Sequence, residues 1–104
     1  GKLGAHAAPH AGAIVALMED QDLEMRLAVQ AALRELGAHA VPAMGAIAAR
    51  LENEDSGVRK DMCFELGKLG ALAAPHVGAI AARLEDEDEN VRYFACRALG
   101  ELGA

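Results

Sequence analysis

Apolar residues recur along this chain at helical spacing, in stripes interrupted by acidic turns. Ala11, Ile14 and Met18 share one face, and Met44, Ile47 and Leu51, then Val77, Ile80 and Leu84, repeat it. A second stripe follows each acidic break: Met25, Val29, Leu33 and Leu36; Val58, Met62, Leu66 and Leu69; Val91, Ala95, Leu99 and Leu102. Each stripe predicts an amphipathic helix with its apolar side turned inward. Pro9, Pro42 and Pro75 stand where the first helix of each pair begins, a position at which the missing N–H is not needed. Asp22, Asp55 and Asp88 stand where the second helix begins and are suited to cap it. Gly37, Gly70 and Gly103 follow its end, where a left-handed residue lets the chain turn away.

These elements are one motif written three times. A period of 33 residues aligns 4–36, 37–69 and 70–102 without a gap, and 13 columns are identical in all three. A fixed period of this length predicts an all-α solenoid, in which each unit buries its apolar face only against its neighbours. The expectation is therefore a single domain over 1–104: three two-helix repeats, six helices in antiparallel pairs. Gly12, Gly45 and Gly78 fall inside the first helices, beside alanines, which predicts close helix–helix approach there.

The period alone does not choose a family, because ankyrin units have the same length. The ankyrin Thr-Pro-Leu-His cue is missing, and so is the tetratricopeptide pattern, which needs a tryptophan. The third unit carries Asp86 and Asp88 in its turn, then Val91-Arg92, and ends Ala98-Leu99-Gly100-Glu101-Leu102-Gly103. The second keeps Asn53, Asp55, Val58-Arg59 and Leu66-Gly67-Lys68-Leu69-Gly70, with Glu65 in place of alanine; the first keeps Asp20, Asp22 and Arg26. On these residues the chain resembles the HEAT family, in the short form typified by phycobilisome-lyase-like repeats. The resemblance implies a binding scaffold, with the second helices lining a concave surface.

The run Asp86-Glu87-Asp88-Glu89-Asn90 poses a separate question, because alternating acids suggest a calcium loop. A loop of the EF-hand kind needs glycine at its sixth position and glutamate at its twelfth; counted from Asp86 these are Val91 and Arg97. The matching stretches Asp20-Gln21-Asp22 and Asn53-Glu54-Asp55 identify a repeated inter-helix turn instead. Arg26, Arg59 and Arg92 follow one turn later and are placed to pair with an aspartate of an adjacent unit, forming a ladder along one edge. Eleven of the 16 acids lie in these turns, so that edge is negative, either as a solvated face or to steer a basic peptide.

Columns that differ between units are the ones packing has not fixed. The outward rows of the second helices hold Leu27, Lys60 and Tyr93, then Ala31, Phe64 and Arg97, with Gln30, Cys63 and Cys96 beside them. Leu27, Lys60, Phe64, Tyr93 and Arg97 are the candidate partner-binding residues, since aromatic and arginine side chains are common interface anchors. Phe94 lies on the flank where a fourth unit would stack, and is the candidate for self-association.

Composition narrows the remaining classes. A net charge of −6 argues against nucleic acid as partner, and no apolar run is long enough to span a membrane. Two cysteines are too few for a disulfide scaffold, which favours a reducing, cytoplasmic setting, and their places on adjacent helices predict free thiols. His6 and His10 straddle Pro9, and the column of His10 and His76 holds Ala43 in the second unit, so no metal site is expected. Nothing pairs a nucleophile with a base, and no cofactor motif is present. The reading is a non-enzymatic scaffold for a protein or peptide. The alternatives are a self-assembling repeat segment and, behind it, a fragment of a bilin-lyase-like protein.

Overall fold

The computed structural model of the chain describes residues 11–17 and 22–103. Among the described residues there is helix and no strand. The α-helices are α1 (Ala11–Ala16), α2 (Leu23–Leu36), α3 (Val41–Ala49), α4 (Ser56–Leu69), α5 (Val77–Ala82) and α6 (Glu89–Gly103). Short 3-10 segments, Gly37–Ala40, Arg50–Glu52, Gly70–His76 and Arg83–Glu85, lead into and out of α3 and α5. His6, Pro9, His10, Met18 and Asp20 lie outside the described residues.

The longer helices start where a side chain can replace the carbonyl that the first turn lacks. Asp22 accepts the N–H of Glu24 at 2.9 Å, Asp55 that of Gly57 at 2.7 Å, and Asp88 those of Asn90 at 2.8 Å and Val91 at 3.1 Å. The last two bonds, Val91 first, hold the Asp88 carboxyl below the usual carboxylate range. Two of the helices end on glycines with positive φ, +54° at Gly37 and +59° at Gly70, a region that side chains resist. Gly103 departs from the expectation: it is the last residue of α6 and does not have a positive φ. Pro42 sits in the first turn of α3, and Pro75 in the 3-10 segment before α5.

The core runs between the helix layers. Val29, Leu33 and Leu36 of α2, Met44 and Ile47 of α3, Met62, Leu66 and Leu69 of α4, Ile80, and Val91, Ala95 and Ala98 of α6 are all buried. The most extensive contact is between α4 and α6. Three positions expected inside are open instead: Met25 is 38% exposed, Val77 45% and Leu84 41%. Their counterparts Val91, Met44 and Leu51 are at most 1% exposed, so the difference lies in the neighbour that covers the column.

The expected close approach at the first-helix glycines is also corrected. A Cβ on Gly45 or Gly78 would meet nothing within 4 Å. Instead, Gly45, Ala48 and Ala49 face Ala79 and Ala82 across a cleft of about 300 Å³. The tight contact is between second helices, where a Cβ on Gly67 would stand 3.0 Å from the Cα of Ala98 and 3.1 Å from its Cβ. Small residues on the first helices leave space, while one glycine on α4 removes it.

Candidate interaction surface

The acidic turns close on themselves. Asn53 accepts the N–H of Asp55 at 2.8 Å, and Asp86, in the same column, accepts that of Asp88 at 3.0 Å. Arg59 donates from Nη1 to the carbonyls of Asn53 at 2.7 Å and Glu54 at 3.0 Å; Arg92 donates likewise to that of Asp86 at 2.7 Å. Arg59 then reaches into the next turn with a bidentate grip on Asp86, Nε to Oδ2 at 2.8 Å and Nη2 to Oδ1 at 3.0 Å. Arg83 adds a contact to the same carboxylate at 3.2 Å. The hydrogen bonds from Arg59 hold the Asp86 carboxyl below its ordinary range despite burial. The column that would face Arg26 holds Asn53, and Arg26 lies 3.6 Å from Asp61 instead.

The run that suggested a cation loop is therefore committed to structure: Asp86 is consumed by arginine and its own backbone, and Asp88 by the cap. Among the described residues no three His, Cys, Asp or Glu side chains are grouped to hold a metal ion. A cleft of about 510 Å³ remains beside these turns, rimmed by Glu52, Glu54, Glu85 and Glu87, with Arg59 and Arg83 in its wall.

The junctions between successive second helices differ in character. Between α2 and α4, Gln30 donates from Nε2 to Oε2 of Glu65 at 2.5 Å, both residues being buried, and Arg34 donates to the carbonyl of Lys68 at 2.6 Å. Burial raises the Glu65 carboxyl above its ordinary value, against the Gln30 hydrogen bond and the field of Arg26. Between α4 and α6 the same columns hold Cys63, which is buried, and Gly67, which stands against Ala98. Gln30 and Cys63 belong to a row expected to face outward, yet they are 4% and 0% exposed because the next second helix covers them. The signal was available in Glu65, a departure from alanine matched by glutamine instead of cysteine in the opposing column. Cys63 and Cys96 are free thiols, the first buried, with its pKa pushed up to about 11 by desolvation, and the second exposed.

The outward rows of α2, α4 and α6 gather an apolar and cationic patch. Phe64 and Phe94 meet edge to face with ring centres 6.1 Å apart, and Tyr93 meets Phe94 the same way at 5.1 Å. Lys68 stands over the Phe64 ring at 5.4 Å and Arg97 over Tyr93 at 5.9 Å. A shallow groove of about 230 Å³ runs beside them, lined by Leu23, Arg26, Lys60, Asp61, Phe64 and Phe94. Leu27 is 49% exposed and Tyr93 55%, while Lys60 and Phe64 are half-buried and Arg97 is exposed. Phe94 is not where the sequence put it. Its ring is turned back onto Phe64 of the preceding second helix and packs on the core, so it does not stand on a free flank. Asp61, in the same column of α4, likewise faces backward, to Arg26.

No helix among the described residues is long and apolar enough to cross a membrane. Compared with known proteins, the chain has no match among curated proteins. A family model of HEAT repeats matches residues 44–104, more than half of the chain, and spans the turn, cap and close-packed second helices described above. The chain belongs to the HEAT-repeat family.

Proposed function

We propose that this chain is a non-enzymatic scaffold of three two-helix units, six helices in all, which holds a protein or peptide segment on the face formed by α2, α4 and α6. The observation that carries this reading is the Phe64–Phe94–Tyr93 cluster. It is ordered by edge-to-face contacts, flanked by Lys68 and Arg97, and bordered by a groove that leaves Leu23 and Leu27 open. Rigid aromatic side chains lose little entropy on binding, and cations beside them select for acidic groups in the incoming segment. HEAT repeats commonly serve as interaction scaffolds, which agrees with this reading.

Selecting a displayed random peptide library on the wild-type chain and titrating the enriched peptides against Tyr93→Ala and Arg97→Ala tests it. Both positions are exposed, so the fold is expected to survive each change. Affinity is expected to fall by about tenfold or more at an anchor. Undiminished affinity with an intact helical circular-dichroism signal would remove these residues from the site.

A further inference from the structure

Away from the aromatic patch, the second and third units are parted by a trough. Gly45, Ala48 and Ala49 face Ala79 and Ala82 across its apolar part, about 300 Å³ in volume. Glu52, Ala82 and Arg83 line this part and also the acidic cleft of about 510 Å³, so the two cavities form one channel with shared walls. Both volumes lie in the range that ligand clefts commonly occupy. Gly45 stands inside α3 at a cost of about 1 kcal/mol relative to alanine, yet a Cβ there would meet nothing within 4 Å. No contact among the described residues requires that glycine. What it does is keep the floor of the trough deep, as glycine does where a ligand approaches the backbone.

The charged end specifies what fits. Asp86 is neutralised by the bidentate grip of Arg59 and the contact from Arg83. Glu52, Glu54, Glu85 and Glu87 are exposed, and among the described residues none of the four has a side-chain hydrogen bond or an ion pair. Five carboxylates therefore meet two guanidiniums in this cleft, and the excess is negative. The frame that presents them is fixed, because Arg59 and Arg92 hold the carbonyls of both turns. An apolar floor that runs into a mouth of carboxylates complements a chain with short aliphatic side chains and cationic head groups. We propose that the trough docks a basic peptide segment, with small apolar side chains on the floor between α3 and α5 and lysine or arginine head groups among the glutamates. It is a second docking surface, opposite in charge preference to the aromatic patch and independent of it.

Fluorescence anisotropy with two labelled probes tests the proposal: a short peptide alternating lysine with alanine, and its counterpart alternating glutamate with alanine. The lysine peptide is expected to bind saturably and the glutamate peptide not at all. Gly45→Leu fills the apolar floor, and Glu52→Gln combined with Glu85→Gln removes charge at the mouth. Circular dichroism checks that both variants keep the helical signal. Each is expected to weaken binding of the lysine peptide by about tenfold or more, and Tyr93→Ala to leave it unchanged. The charge contribution is expected to shrink as salt rises from about 0.05 M to about 0.5 M, whereas the loss caused by Gly45→Leu persists. Absence of saturable binding by the lysine peptide overturns the proposal. So does binding that the glutamine variant weakens and Gly45→Leu does not, since the acidic edge alone would then attract the peptide. A loss on Tyr93→Ala as large as that on Gly45→Leu overturns it too, by moving the peptide to the aromatic patch.

Discussion

Gly67 and Gly100 occupy the same column, yet they respond to opposite physics. At Gly67 a methyl group would stand 3.0 Å from the Cα of Ala98, which is backbone and cannot swing aside. Gly67→Ala is expected to lower stability by about 1–3 kcal/mol, the usual range for overpacking. Gly100→Ala meets open space and gains helix propensity, so it is expected to raise stability by up to about 1 kcal/mol. Thermal melts of the two variants read the difference in sign. Glu65 offers a second test, through pH. Its carboxyl is raised by burial, so its contribution to stability is fullest below the unfolded value of about 4.3 and is lost as pH rises through the folded value. Glu65→Gln retains an acceptor for Gln30 and removes the charge. The variant is expected to melt above wild type at pH 7, with the gap narrowing on acidification; a lower melting temperature at pH 7 would show that the ionised pair stabilises the junction.

At the scale of elements, the turns between paired helices carry most of the specific polar chemistry. Asp86 is bonded to Arg59 across the junction and to the N–H of Asp88 within its own turn, so one side chain ties two successive turns together. Its pKa is depressed, and its contribution is therefore present above the unfolded value of about 3.9 and is lost as pH falls through the lower folded value. Asp86→Asn is expected to lower the melting temperature at pH 7 and to matter progressively less in acid, opposite in trend to Glu65. A pH-independent difference would assign the effect to shape instead of charge. Caps and turns were legible in the sequence because they depend on residues close together in the chain. Asp22, Asp55 and Asp88 bond two or three residues onward, and Gly37 and Gly70 turn at the end of their own helices. Which flank of a second helix faces forward or backward was not legible. That depends on the rotation of one helix against the next, and an error of one position moves a residue by about 100° around the helix. For that reason Phe94 turns to the flank opposite the one its column suggests, Gln30 is covered instead of solvated, and the close approach expected at Gly45 falls at Gly67.

Over the whole molecule, period and family were plain in the sequence, because 13 invariant columns leave little freedom in how the helices alternate. The candidate site was legible as a set of varying columns and not as a surface. Leu27, Tyr93 and Arg97 are open, Lys60 and Phe64 are half-buried, and the edge-to-face stack through Phe94 joins rows that the helical wheel keeps apart. Near-identical units carry a further liability, since a chain that mispairs its copies, or loses one by recombination, still presents matching helices. The Gln30–Glu65 bond acts as an address against this. Excising 37–69 would bring Gln30 opposite Ala98, burying an amide with nothing to accept its protons. An ordinary side-chain hydrogen bond thus records the order of the copies, and a shortened array would be marked by a defect at its new seam.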